Sequence, residues 1–219
     1  MALNHRSRQV HFNAGVLLLL FISLFAQPVP AYALDGTEKN ASLPNFSDFS
    51  SSVQNGRADH VRGVFVPNEF ALPVEQQPYG NPGFVTSYQG YLTQFRMANQ
   101  YGNVGLLAHN YLSGEKFFNL DMGDEVRLVN GDGSVEYFVV NEILEYQALQ
   151  PHSPYSSFRN LKNDEILSVE KMFKRVFFGD RHVTFKTCIE KDGEKSWGRL
   201  FVIAIPKAEY EALDPLYDL

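Results

Sequence analysis

A single cysteine, Cys188, in 219 residues leaves no partner for an intramolecular disulfide, so a fold stapled by its own disulfides is excluded. A basic excess is missing too: 19 Lys and Arg stand against 25 Asp and Glu, a formal net charge of −6. Nucleic-acid binding rests mainly on cations facing phosphates, so this balance gives no reason to expect it. The apolar run at residues 14–26 is 13 residues long, short of the roughly 20 that a bilayer-spanning helix wants. Asp121, Asp124 and Glu125 lack the spacing of a metal-binding loop, and neither a required metal nor a cofactor is expected. There is no internal repeat.

What is present is a chain that can bury a core, at 44% hydrophobic and 20% charged. Its length suits one compact domain. His5, Arg6 and Arg8 precede the apolar run, Pro28 and Pro30 break any helix, and Ala31-Tyr32-Ala33 supplies small residues for a signal peptidase. Residues 1–33 are therefore expected to be a signal peptide cleaved after Ala33, with a short membrane anchor as the alternative. Export follows either way, to the outer face of the cytoplasmic membrane or beyond. Membrane association through the N-terminus stays open.

Residues 34–60 are rich in Ser, Asn, Asp and Gly and read as a linker or arm. Val61–Val66 reads as a strand, and Pro67, Pro73, Pro78 and Pro82 then mark an irregular connection. Thr93–Gln100 reads as a short helix. Apolar alternation predicts strands at 104–108, 125–129 and 135–140, with Asn130-Gly131-Asp132-Gly133 as a hairpin turn between the last two. Asn163-Asp164 is expected to cap a helix carrying Ile166, Val169, Phe173, Val176 and Phe177 and stopping at Gly179. Strands follow at 182–188 and 200–205, and residues 207–219 form a C-terminal extension. The fold class predicted is mostly β: a closed or rolled β-barrel with one or two short helices in its connections.

A lone thiol in an exported protein asks for a reason, although the ordinary role of such a residue is that of a small buried hydrophobe. Three segments bear on it: Val104 to His109, Thr184-Phe185-Lys186-Thr187-Cys188, and Gly198 to Val202. Each lies at a predicted strand end, where a packed scaffold can hold side chains at a rim. An ordinary thiol is mostly protonated near neutral pH and only its thiolate attacks a carbonyl well, so an imidazole or guanidinium nearby would matter.

The constellation resembles the sortases, cysteine transpeptidases of bacterial surfaces, over roughly residues 104–205. Thr184-Phe185-Lys186-Thr187-Cys188 matches the family's Thr-Leu-x-Thr-Cys with Phe185 for Leu, and Leu107-Ala108-His109 is similar to a strand running into Gly-His, with Ala108 for Gly. Phe118, Leu120 and Gly123-Asp124 fall in family order before Val126, and Arg199 opens the next strand. The resemblance implies a sortase-like β-barrel catalytic domain over residues 61–206, with Cys188 as nucleophile, His109 as proton donor to the departing amine, and Arg199 holding the substrate carbonyl. It implies a monomeric transpeptidase or peptidase acting on an exported protein that carries a sorting signal, with an amine or water as acceptor. A cleaved leader would leave it without the membrane tether usual in the family.

Each residue has a plainer role to set beside this one. His109 would otherwise be a hydrogen-bonded structural histidine, with His182 its nearest rival in sequence, and Arg199 a surface ion pair with Glu190 or Glu194. Thr187 either contacts substrate or is simply a good strand former. Trp197, the sole tryptophan, in the charged loop expected at 190–197, is either a substrate wall or a cap on the core. The alternative for the whole protein is a non-catalytic secreted β-barrel that binds peptide or polysaccharide. A papain-like hydrolase places its Cys before its His, contrary to the order here.

Overall fold

The structure is a computed structural model that describes residues 43–213. The expected signal peptide or anchor at 1–33 and the last residues of the C-terminal extension lie outside the described residues.

Ten strands alternate with short helices: β1 (Val61–Val66), β2 (Phe70–Gln76), β3 (Leu92–Phe95), β4 (Val104–Leu107), β5 (Glu125–Asn130), β6 (Val135–Ala148), β7 (Phe158–Asn160), β8 (Ile166–Leu167), β9 (Val183–Lys191) and β10 (Glu194–Pro206). The helices are α1 (Phe46–Val53), α2 (Arg96–Asn99), α3 (Val169–Phe177) and α4 (Lys207–Leu213), with a 3₁₀ segment at Ser113–Asn119. The sheet runs β10-β9-β4-β3-β2-β1-β5-β6, and β6 pairs back onto β10, closing eight strands into a barrel. This is the closed barrel with short helical connections that the sequence predicts. β7 and β8 extend from the far end of β6.

Closure follows from alternation along the strands. Val183 and Phe185 on β9, Leu200 and Val202 on β10, and Val104 and Leu106 on β4 all join the buried interior cluster. The residues between them face outward, where a second cluster of Phe201, Ile203, Met172, Val176 and Phe177 forms beneath α3. α3 is amphipathic: Met172, Val176 and Phe177 are buried, Glu170 lies in its first turn, and Lys174 and Arg175 lie in its last, matching the helix dipole.

Five local expectations differ from the structure. The stretch read as a loose arm contains α1, which Asn45 caps by accepting from the Asp48 amide at 2.9 Å. Phe49 and Val53 pack it against Phe65 and Val129 on the barrel. Gly63 permits that approach, since a Cβ there would lie 2.8 Å from the Phe49 ring. The proline-rich connection contains β2, with Pro73 within it. Thr93 and Gln94 belong to β3 and not to a helix; both are buried, and Thr93 Oγ1 accepts from the Thr86 amide at 2.8 Å. α3 starts later than predicted, with Ser168 as its cap in place of Asn163-Asp164. The stretch 190–197 is not a loop: β9 and β10 run through it, and only Asp192 (φ 53°) and Gly193 (φ 81°) make the turn. The Asn130–Gly133 hairpin turn forms as predicted, with Gly133 at φ 89°. No helix among the described residues is long and apolar enough to cross a membrane.

Candidate active site

Three adjacent strands carry the residues singled out in the sequence. β4 and β9 are parallel, and Leu107 is the Cα partner of Lys186. Ala108 continues the ladder by donating its amide to Lys186 O at 3.3 Å. His109 is two residues past Leu107, just beyond the end of β4, and Cys188 is two past Lys186 on β9. On the other flank β9 and β10 are antiparallel, and Arg199 is the direct Cα partner of Cys188. Strand parity sends Cys188 and Arg199 outward, because Phe185 and Leu200 join the interior cluster.

Cys188 is half-buried and is a free thiol. Arg199 is fixed by backbone: its Nη1 donates to Ser196 O and Gly198 O, both at 2.8 Å, and its Nη2 reaches Pro151 O at 3.4 Å. The guanidinium also lies 5.9 Å from the Phe158 ring centroid. The ion pair with Glu190 or Glu194 considered from sequence is not formed. Glu194 instead meets His152 Nε2 at 2.9 Å and accepts from the Ser196 amide at 2.8 Å. Carbonyls hold the guanidinium without cancelling its charge.

His109 stacks on Tyr111 with ring centroids 5.1 Å apart. Burial lowers its pKa from the usual 6.5, a backbone hydrogen bond at Val85 opposes this, and the Lys186 cation adds to the lowering. The imidazole is therefore mostly neutral at neutral pH. Its backbone is pinned from the other side, since the amides of Leu112 and Gly114 both donate to His109 O at 3.0 Å. The rival His182 is buried with Nδ1 2.7 Å from Asp180 O and Nε2 3.0 Å from Val176 O. Its ring is engaged with the end of α3, away from Cys188.

Thr187 is fully buried and donates its hydroxyl to Ala108 O at 2.9 Å. It thus ties β9 to the residue before His109. A Cβ at Gly114 would collide with that hydroxyl, so a glycine is required there. Trp197 is half-buried in β10 with Lys191 Nζ 4.7 Å from its ring centroid. It does not line the groove beside the thiol. Of the other family-like positions, Leu120 is in the core, whereas Phe118 is 46% exposed and its neighbour Phe117 takes the interior place.

That groove, of about 290 Å³, runs along the barrel's outer face under α3. Val85, Leu107, Phe173 and Phe201 give it apolar walls, and Lys186 and Arg199 are its cations. A larger depression of about 1080 Å³ lies around Glu142, Lys162 and Arg175, and His109 and Cys188 line neither it nor the groove. Sequence reasoning missed Lys186. Counting back by two from Cys188 along a strand places it on the same face, with Nζ 3.9 Å from Cys188 Sγ. No group of three or more metal-ligating side chains occurs among the described residues.

No family model matches the chain, and no curated protein matches it. Solved structures do. Sortase A of Listeria monocytogenes is 15% identical, with 68% of this chain and 88% of that one covered at a TM-score of 0.42. A sortase D5 transpeptidase of Clostridium perfringens is 13% identical, with 73% and 87% covered at a TM-score of 0.43. The SrtA sortase of Actinomyces oris is 15% identical, with 71% and 87% covered at a TM-score of 0.42. The solved structures to which this barrel is similar are thus sortases of more than one class, all at low sequence identity.

Proposed function

We propose that the protein is a sortase-like cysteine transpeptidase that works outside the cytoplasm on exported proteins carrying a sorting signal. Cys188 attacks a backbone amide in a peptide lying along the apolar groove. Arg199 holds the carbonyl and stabilises the oxyanion, whose charge a fixed guanidinium meets without reorganisation. The tetrahedral intermediate collapses as His109 delivers a proton to the departing amine, leaving a thioacyl enzyme. An amine acceptor then takes the acyl group. Water in its place would make the same enzyme a thiol protease.

The observation that carries this reading is that Arg199 is the direct Cα partner of Cys188, with His109 just past the end of β4, the parallel neighbour of β9, and with Lys186 and Arg199 lining an apolar groove. The test is to incubate the protein with a pool of peptides drawn from C-terminal segments of exported proteins, with and without an added amine, and to weigh the intact enzyme. A covalent adduct on Cys188, absent in Cys188→Ala and discharged faster by the amine, is the expected result. Peptide binding that persists in Cys188→Ala, with no adduct in the parent, would instead identify a non-catalytic binding barrel.

A further inference from the structure

We propose that Lys186 is the proton acceptor for the Cys188 thiol, making the nucleophile a lysine–cysteine pair. The proposal deepens the reading of Cys188 as a nucleophile and rests on it.

The argument begins with position. Lys186 and Cys188 are two apart on β9, so both side chains leave the same face, and Nζ lies 3.9 Å from Sγ. The residue is half-buried, while its ammonium end is surrounded by protein. No carboxylate pairs with it among the described residues, and Cys188 Sγ is its one side-chain hydrogen-bond contact there. A desolvated lysine with no counter-ion has an evident reason to give up its charge. The groups facing it are Arg199 from β10, Cys188 from its own strand and His109 beyond β4. α3 and the segment around Val85 add only apolar side chains to the groove.

These surroundings set the direction of proton flow. Burial pushes the Lys186 ammonium below the ordinary lysine range, and Arg199 adds to this, whereas a thiolate at Cys188 opposes it. The amine is thus a base when the thiol is protonated, and its ammonium is a counter-ion once the thiolate exists. In the transfer the S–H bond breaks and an N–H bond forms, so the pair's total charge does not change. The same proton serves the leaving group: His109, whose ring is near enough to Lys186 to feel its charge, takes it from Lys186 and passes it to the departing amine. A neutral His109 at rest suits that relay better than it suits a standing imidazolium–thiolate pair.

Alkylation of Cys188 by iodoacetamide tests this without any peptide, since the thiolate displaces iodide directly. The full chain and its Lys186→Met, Lys186→Gln and His109→Gln variants would be followed by intact mass from about pH 5 to 9. The expected result is a rate about tenfold or more lower at pH 7 in both Lys186 variants, with the profile moved to higher pH, and little change in His109→Gln. Unchanged rates in folded Lys186 variants, or a loss seen only in His109→Gln, would overturn the proposal. Folding is checked by circular dichroism, and two replacements of different polarity guard against one failing to fold. Alkylation that depends on Lys186 with no peptide adduct would sink transpeptidation and leave the pair standing. Adduct formation with alkylation indifferent to Lys186 would do the reverse.

Discussion

Arg199 is held by three carbonyl oxygens in the geometry of a forked donor, and that fork has no equivalent in an ammonium. Arg199→Lys keeps the charge and loses the anchorage, so the rate of adduct formation on Cys188 is expected to fall about 100-fold. Single-turnover kinetics with a reactive peptide would measure it. His109 gives a second prediction, in pH. Its folded-state pKa is depressed, so below about 6.5 the unfolded chain takes up the proton first and stability falls with acidification. His109→Gln should flatten that part of the melting-temperature profile between pH 6.5 and the lowered folded value, as calorimetry would read. Lys186→Met removes a buried amine that has no carboxylate partner among the described residues, and should raise neutral-pH stability by about 1 kcal/mol in a denaturant titration. At this scale the sequence was a guide to which residues the fold brings together, with Cys188 and Arg199 as Cα partners, and a poor one to where Thr187 points. Thr187 carried two readings, and its inward side of the strand, an outcome of pairing with β4, could not be read from the sequence.

Elements were legible where local chemistry sets them. The Asn130–Gly133 turn formed as expected because positive φ is a local demand. α1 was missed because serine and asparagine suggested a loose arm, although Phe46, Phe49 and Val53 were already spaced for one helical face. β2 was hidden by Pro73, which is tolerated in a strand whose neighbours supply other ladder bonds. α3 carries a prediction of its own. Ser168 Oγ accepts from the Lys171 amide, and the helix it starts forms one wall of the groove. Ser168→Ala should cost about 1 kcal/mol, read by chemical denaturation, and should weaken peptide capture in the Cys188→Ala background.

For the whole molecule, the barrel could be anticipated from strand-like alternation, but its closure by β6 against β10 could not. Register between distant strands depends on which apolar faces meet after collapse, and no local signal records that. The parallel pairing of β4 with β9 joins segments 79 residues apart, as the Thr187 to Ala108 bond illustrates. Such non-local pairing forms late and opens only with the whole barrel. Amide exchange should therefore be slowest in β4, β9 and β10. It should be fast in α4, which buries no side chain and is tied to the barrel side by Lys207 Nζ at 2.7 Å from Glu125.

The placement of Cys188 between one parallel and one antiparallel neighbour has a consequence for tolerance to change. Sliding β9 by a single residue would turn Phe185 and Thr187 to water and push the thiol and Lys186 into the hydrocarbon interior. Misalignment is therefore penalised by solvation. The chain has no cheap way to be folded and yet have Cys188 and Lys186 out of line.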